Sequence, residues 1–294
     1  MYLRGFEYQD AARLDEIILI SKWSFTMNTV SFMSANFVAR QVGYHMTQGW
    51  GEGDKATNDF FRPLETFEPR FTQILVEVRN MGFGVMDLWM AHLNSTWATP
   101  DHVRIAKALL NKHQIKVSSF AGGFGATPEE FEATCRQAVA LDTKILGGNT
   151  PLLYSNREFV VSTLQKYGLK LGIENHPEKT PEELLAKIGD GGNGTIGATV
   201  DTGWFATHGY DASQAIECLA DHLFLVHLKD ILAPGAHVTC RYGLGCVPLE
   251  RCVRILQRLG YQGGISVEHE PEESDPTQDV LASAEMLKGW LKSS

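Results

Sequence analysis

Residues 171–203 read LGIENHPEKTPEELLAKIGDGGNGTIGATVDTG, one complete unit of a pattern that runs through most of the chain. Leu171–Asn175 is a short apolar run that stops at a glutamate. Thr180-Pro181-Glu182-Glu183 then marks a helix start, with an N-cap threonine, a proline at the first helical position and a glutamate placed to close a capping box. Ile196–Asp201 is a second apolar run, ending on an aspartate. Strand, helix and strand within about thirty residues is a βα rhythm.

The rhythm extends in both directions. Strands are predicted at Phe83–Trp89, Ile115–Phe120, Thr143–Gly147, Leu171–Asn175, Ile196–Asp201, Leu223–Leu228 and Gly264–Glu268, with starts separated by 32, 28, 28, 25, 27 and 41 residues. Each interval fits one strand, one helix and two short loops. Thr127-Pro128-Glu129-Glu130 repeats the helix-start signal, and Thr99-Pro100 and Asp275-Pro276 repeat its cap-then-proline core. Phe67, Phe71, Ile74, Leu75 and Val78 follow the spacing of one buried helix face.

An earlier strand at about Trp23–Met27 brings the number to eight, each followed by a helix. An open doubly wound sheet and a closed barrel both suit such a chain, and eight units in about 270 residues favour the (β/α)8 TIM barrel. A doubly wound nucleotide binder also calls for GxGxxG after its first strand; Gly122-Gly123-Phe124-Gly125 and Gly147-Gly148 come nearest, and neither matches. Asn28–Glu65, rich in Phe, Trp, Met and Gly, reads as a long irregular loop after the first strand. No low-complexity linker divides the sequence, so residues 1–294 are expected to form a single domain.

Composition narrows the function. The 294 residues carry 26 Lys+Arg against 35 Asp+Glu, a formal charge of −9, and 44% are hydrophobic. A sizeable core is available, and a binder of nucleic-acid phosphates is disfavoured because such proteins cluster basic residues. Ile17–Ile20, the longest apolar run near the start, is too short to span a membrane, and no charged segment with a longer apolar stretch precedes it. Five cysteines, an odd number without CxxC, suit a reducing compartment, and a cytoplasmic protein is expected. Cys240, Cys246 and Cys252 recur every six residues; a zinc cluster needs closer pairs, so they read as ordinary thiols.

In a βα barrel, the loops at the carboxyl ends of the strands build the site. Glu174, Asp201, His227 and Glu268 stand at four such ends. Three carboxylates and one imidazole are an oxygen-rich set that suits Mn²⁺, with Mg²⁺ or Co²⁺ as alternatives, better than structural zinc. Singly, each residue is as readily a helix cap or half of an ion pair; four at four consecutive strand ends favour a site. His176 lies on the same side of its strand as Glu174 and is read as a contact to a substrate hydroxyl, with a structural histidine the close alternative. Lys229 and Arg241 are candidates for holding a hydroxyl-rich or anionic substrate. Glu270 shares the face of Glu268 and is its rival as a ligand. His92, just beyond the second clear strand, is a candidate for lining the pocket and contacting substrate, although a lone histidine there is more often structural. Trp50, Phe60 and Phe61 form either an apolar wall from the first loop or part of the core.

The segments Ile173-Glu174-Asn175-His176, Val200-Asp201-Thr202-Gly203, Val226-His227-Leu228-Lys229-Asp230 and Ser266-Val267-Glu268-His269-Glu270 together resemble the motifs of the xylose isomerase-like TIM-barrel superfamily of sugar isomerases and epimerases. The resemblance is strongest over residues 171–294; before that it is one of βα rhythm. It implies that Glu174, Asp201, His227 and Glu268 are metal ligands, and that Glu174 and Glu268 also flank the substrate as proton-transfer groups. Many relatives carry histidine three residues after the aspartate, where this chain has Trp204. Tryptophan neither ligates a metal nor shuttles a proton, but it stacks on a sugar face.

The expected activity is metal-assisted proton abstraction beside a carbonyl, giving isomerisation or epimerisation of a small carbohydrate through an enediolate. A leaving group at the β position turns the same chemistry into a lyase or dehydratase reaction on a keto-sugar or inosose, including cleavage of a 3-keto-glycoside. An apurinic endonuclease on the same barrel calls for further strand-end histidines and a basic groove, and the charge is wrong for it. A non-catalytic partner subunit predicts no bound metal. Neither nucleic acid nor membrane is expected as a partner, and a homo-oligomer or a small partner subunit stays open.

Overall fold

The computed structural model describes residues 28–293. Eight parallel strands form its centre: β1 (Thr29–Met33), β2 (Val85–Trp89), β3 (Lys116–Gly123), β4 (Ile145–Asn149), β5 (Lys170–Glu174), β6 (Ile196–Asp201), β7 (Leu223–Ala233) and β9 (Gly264–Glu268). β1 to β7 pair in sequence order, β7 pairs with β9, and β9 pairs with β1, so the sheet closes on itself as a (β/α)8 TIM barrel. The ninth strand, β8 (Ala236–Cys240), is not a stave. It pairs antiparallel with the outer end of β7 as a hairpin beyond the barrel rim. Pro234 and Gly235 make its turn, and Gly235 at φ 84° supplies the left-handed position that a proline-led turn of this kind requires.

The strand expected at Trp23–Met27 and the apolar run Ile17–Ile20 lie outside the described residues. The stave that pairs with β2 and β9 is Thr29–Met33, within the stretch read as irregular. Its central residue, Ser31, is buried and hydrogen-bonds Ser266 of β9 at 2.9 Å. The rest of that stretch is not loop throughout either. Two single turns follow β1, then a helix at Trp50–Phe61 and another at Leu64–Asn80. The second buries Phe67, Phe71, Ile74, Leu75 and Val78, the face its sequence spacing specifies.

Capping residues hold the helices where the sequence places them. Thr127 and Glu130 form a reciprocal box, Thr180 accepts from the Glu183 amide, and Asp275 accepts from the Thr277 amide at 2.8 Å. Satisfying these otherwise orphaned amides is worth about 1 kcal/mol per cap. No helix among the described residues is long and apolar enough to cross a membrane.

Candidate metal and active site

Glu174, Asp201 and Glu268 each end a strand, and His227 lies within β7 beside Asp201, its partner across the β6–β7 pairing. All four are buried. His227 Nδ1 lies 2.5 Å from Glu174 Oε1 and 3.3 Å from Glu268 Oε2, so one imidazole joins carboxylates from β5 and β9 across the barrel mouth. The four tips do not close as one cage. They form two groups that share Glu174, one with His227 and Glu268 and the other with His176 and Asp201; within each, the ligand atoms lie within 4.8 Å of one another. The Lys229 ammonium lies 2.9 Å from both Asp201 Oδ2 and Glu268 Oε1, and 3.1 Å from Glu270 Oε2. Glu270, the rival ligand by sequence, thus holds the lysine, and it also lies 3.3 Å from Trp50 Nε1.

Two residues orient this cluster without standing at its centre, and neither emerges from the sequence. Asp87, inside β2, lies 3.0 Å from His227 Nε2 and accepts from Ser266 Oγ at 2.8 Å. A carboxylate on the far nitrogen fixes the ring and leaves Nδ1 facing Glu174 and Glu268, as it must to ligate an ion. Asn175 exchanges two hydrogen bonds with the backbone of Asp201, at 2.8 and 3.0 Å, and so ties the tips of β5 and β6 together. Asp201 uses Oδ1 to cap the next helix, accepting from the amides of Gly203 and Trp204 at 2.8 and 3.1 Å, which leaves Oδ2 for the cluster.

The donors fit a divalent cation. Asp87 Oδ1 is buried and receives no hydrogen bond, and Glu268 Oε2 has the His227 ring at 3.3 Å and no closer donor. Five buried or nearly buried carboxylates (Asp87, Glu174, Asp201, Glu268 and Glu270) face one lysine and the imidazoles of His176 and His227, and surplus buried negative charge is costly unless a cation offsets it. The protonation pattern reflects that surplus. Burial raises the Glu268 carboxyl, the neighbouring Asp201 and Glu270 add to the effect, and despite Lys229 and His227 it rises to about 8. Burial also works against charge on Glu174, but His176 and His227 hold it well below the usual carboxylate range. His227 is raised against burial by Glu174 and Glu268, and Lys229 by Asp201, Glu268 and Glu270.

Above the cluster lies a cavity of about 400 Å³. Met33, Trp50 and Trp89 give it an apolar side, while Trp204, His237 and Thr239 stand among its polar and aromatic lining. Its lining also includes Glu174, His176, His227, Lys229 and Glu268. His176 is half-exposed, lies 3.3 Å from Glu174 Oε2, and is raised by that carboxylate against the effect of burial. Asp201 is not in the lining; its carboxylate pairs with Lys229, which is. Arg241 and His92 are not in the lining. His92 is buried behind the wall, 3.2 Å from Ser34 Oγ and edge-on to Phe61 and Trp89. Phe60 and Phe61 pack in the core; of the three aromatic candidates from the first loop, Trp50 reaches the cavity. His237 comes from the β7–β8 hairpin, a location that strand-end reasoning does not visit. No cysteine joins a metal-capable group among the described residues.

Residues 148–290 match the sequence family described as "Xylose isomerase-like TIM barrel". The match covers just under half of the chain, and the barrel fold is consistent with it. An uncharacterized protein of Methanocaldococcus jannaschii is 28% identical over 148 residues, a match that covers 47% of this chain and 48% of that protein. The chain therefore spans about half the length of the curated relative it matches. Among solved structures, an L-ribulose 3-epimerase superposes with a TM-score of 0.64 at 16% identity, covering 91% of this chain and 95% of that one. A probable 3-DHS dehydratase from Bacillus anthracis gives 0.63 at 14%, covering 89% and 99%. A xylose isomerase-like TIM barrel protein from Mycobacterium smegmatis in complex with magnesium gives 0.62 at 16%, covering 79% and 90%. At these identities the likeness to the solved structures is one of fold.

Proposed function

We propose that this xylose isomerase-like barrel is a divalent-metal-dependent sugar isomerase or epimerase that moves a proton on the carbon beside a carbonyl. One observation carries the reading: Glu174 and Glu268, from staves three positions apart round the ring, converge on His227 Nδ1 at the floor of a sugar-sized cavity. Carboxylates on two sides of one substrate carbon are what removing and returning a proton requires. Glu174, His227 and Glu268 would hold the ion, with Asp201 Oδ2 beside them, and Mn²⁺ is the preferred candidate, ahead of Mg²⁺ or Co²⁺, for this mixed oxygen and imidazole set. When bound, such an ion supplies Lewis-acid stabilisation of the charge that develops on the substrate oxygens.

The chain's own groups do the rest. Asp87 fixes the His227 ring, Lys229 positions Glu268 through Oε1, and Trp50 and Trp89 exclude water from the apolar side of the cavity. A cytoplasmic setting goes with the reading and is supported by five free cysteines. The test is incubation in D₂O with a panel of ketoses, inososes and 3-keto-glycosides, with and without Mn²⁺. Deuterium entering one carbon of a recovered or epimerised sugar supports the proposal, provided that Glu174→Gln and Glu268→Gln each abolish it. Exchange accompanied by a dehydrated or cleaved product moves the assignment to elimination, and no exchange with any member refutes proton abstraction.

A further inference from the structure

We propose that His237 is a specificity-determining residue whose Nε2 accepts a hydrogen bond from a substrate hydroxyl. The proposal rests on the sugar-enzyme reading above. Its basis is the tautomer that satisfies the neighbours, since the Gly203 carbonyl can only accept and two oxygens 2.8 Å apart need a proton between them. Thr207 Oγ1 donates to the carbonyl of Gly203 at 2.8 Å, which uses its one proton, and the same oxygen lies 2.7 Å from His237 Nδ1. That hydroxyl has only lone pairs left to offer, so Nδ1 carries the hydrogen and donates to it. A neutral imidazole has a single N–H, so Nε2 is a bare acceptor. It is buried and has no hydrogen-bond partner within the protein. A buried acceptor in that state is costly unless a donor outside the chain reaches it.

The surroundings fit a neutral, hydroxyl-bearing ligand. The His237 ring lies parallel to the Trp204 indole, with centroids 3.8 Å apart and planes 12° from each other, and both residues line the cavity. Burial and the nearby Lys229 hold the imidazole down to about 3, so the ring stays neutral. A bare acceptor rejects a group that has no proton to give, such as an ether, a carboxylate or a fully ionised phosphate. The rest of the lining agrees: Glu270 and Glu272 face the same space, and the lining's one lysine is already engaged by three carboxylates. His176, the other group there that can carry positive charge, is paired with Glu174 at 3.3 Å, so an anionic sugar phosphate meets no unpaired side-chain cation in the lining. The substrate class that follows is an unphosphorylated polyhydroxylated ketone, with a free hydroxyl directed at the hairpin.

The experiment uses the full chain labelled with ¹⁵N-histidine, in the presence of diamagnetic Mg²⁺, and titrates wild type, His237→Phe and His237→Gln with D-fructose, D-tagatose, D-psicose and D-sorbose, together with their monodeoxy analogues and 6-phosphates. Before ligand is added, the nitrogen spectrum of His237 should show Nε2 without a proton, and its resonance should move on sugar binding. Phenylalanine keeps the stack on Trp204 and removes the acceptor, so binding should weaken roughly five- to tenfold. Glutamine, which returns an acceptor near the Nε2 position, should recover part of the loss. One deoxy analogue should bind wild type and His237→Phe equally, and the phosphates should bind neither. A protonated Nε2 overturns the proposal, as does a His237→Phe protein that binds the parent sugar as wild type does. Wild type that binds no sugar of the panel, with Nε2 bare, overturns the reading of the site and this proposal with it; the nitrogen spectrum separates that failure from an error in the tautomer.

Discussion

Replacing Lys229 by methionine tests how charge is balanced beneath the cavity. The ammonium has three carboxylate oxygens at 2.9, 2.9 and 3.1 Å and is almost completely buried. At an effective dielectric of about 20, one contact at about 3 Å represents roughly 5–6 kcal/mol of gross attraction. Desolvation of the ammonium and repulsion among the three carboxylates offset much of it. What remains on removing one partner of a buried ionic network is about 3–5 kcal/mol. Methionine keeps most of the side-chain volume, so the loss reports charge rather than a cavity. The assay is equilibrium urea unfolding of wild type and Lys229→Met, first in EDTA and then in saturating Mn²⁺. In EDTA the variant should be less stable by that amount. With Mn²⁺ the gap should narrow, because a cation near Glu174 and Glu268 takes over part of the charge that the lysine balances; binding at about 100 times the dissociation constant contributes about 2.7 kcal/mol. A loss below about 1 kcal/mol in EDTA, the range of a solvated surface pair, would refute the reasoning. So would a gap that Mn²⁺ leaves unchanged.

Other outcomes follow from the same geometry. Asp87→Asn should weaken Mn²⁺ binding roughly 10- to 100-fold by releasing the His227 ring, as read by isothermal titration, while the barrel stays folded. Gly172→Ala should destabilise by at least about 1–3 kcal/mol, because a Cβ there would lie 2.3 Å from Thr199 Oγ1 and 3.1 Å from the Thr199 amide nitrogen on the adjacent strand; urea midpoints measure it. His92 gives a pH dependence of definite sign. Burial, helped by Arg40, pushes its imidazole down to about 3, against about 6.5 in an unfolded chain. The unfolded state therefore binds a proton that the folded state refuses, so this contribution to stability is complete above about pH 6.5 and is lost progressively as pH falls toward 3. Between pH 7 and pH 5 it amounts to about 2 kcal/mol, and His92→Asn should flatten the pH profile of unfolding by that much. An unaltered profile would mean that His92 takes up its proton in the folded state.

Much of the barrel is legible in the sequence because each stave from β2 onward is a short apolar run between strong helix signals. Ile196–Asp201 and Gly264–Glu268 coincide with the strands observed, and Thr127 and Thr180 cap the helices they announce. β1 escapes because two similar runs, Trp23–Met27 and Thr29–Met33, stand side by side in the sequence, and local spacing does not choose between them. The strand ends are visible for a related reason: an ionisable residue closing an apolar run stands out in one dimension. Asp87 does not, since it sits within its strand, and its partnership with His227 links residues 140 positions apart. His237 is hidden more deeply. Its role depends on a hairpin that folds back over the mouth and on a threonine that has spent its proton on a carbonyl, and neither leaves a mark in local spacing. Arg241 shows the converse, a basic residue near the motifs in sequence that lies outside the cavity lining in space.

Anomalous diffraction from crystals of the whole chain grown with Mn²⁺ bears most directly on the central claim. One strong manganese peak is expected, bonded to Glu174, Glu268 and the Nδ1 atom of His227, with Asp87 still on Nε2. A map without a peak at that position, or with manganese only on surface carboxylates while Lys229 and His227 go on balancing the buried acids alone, would contradict it.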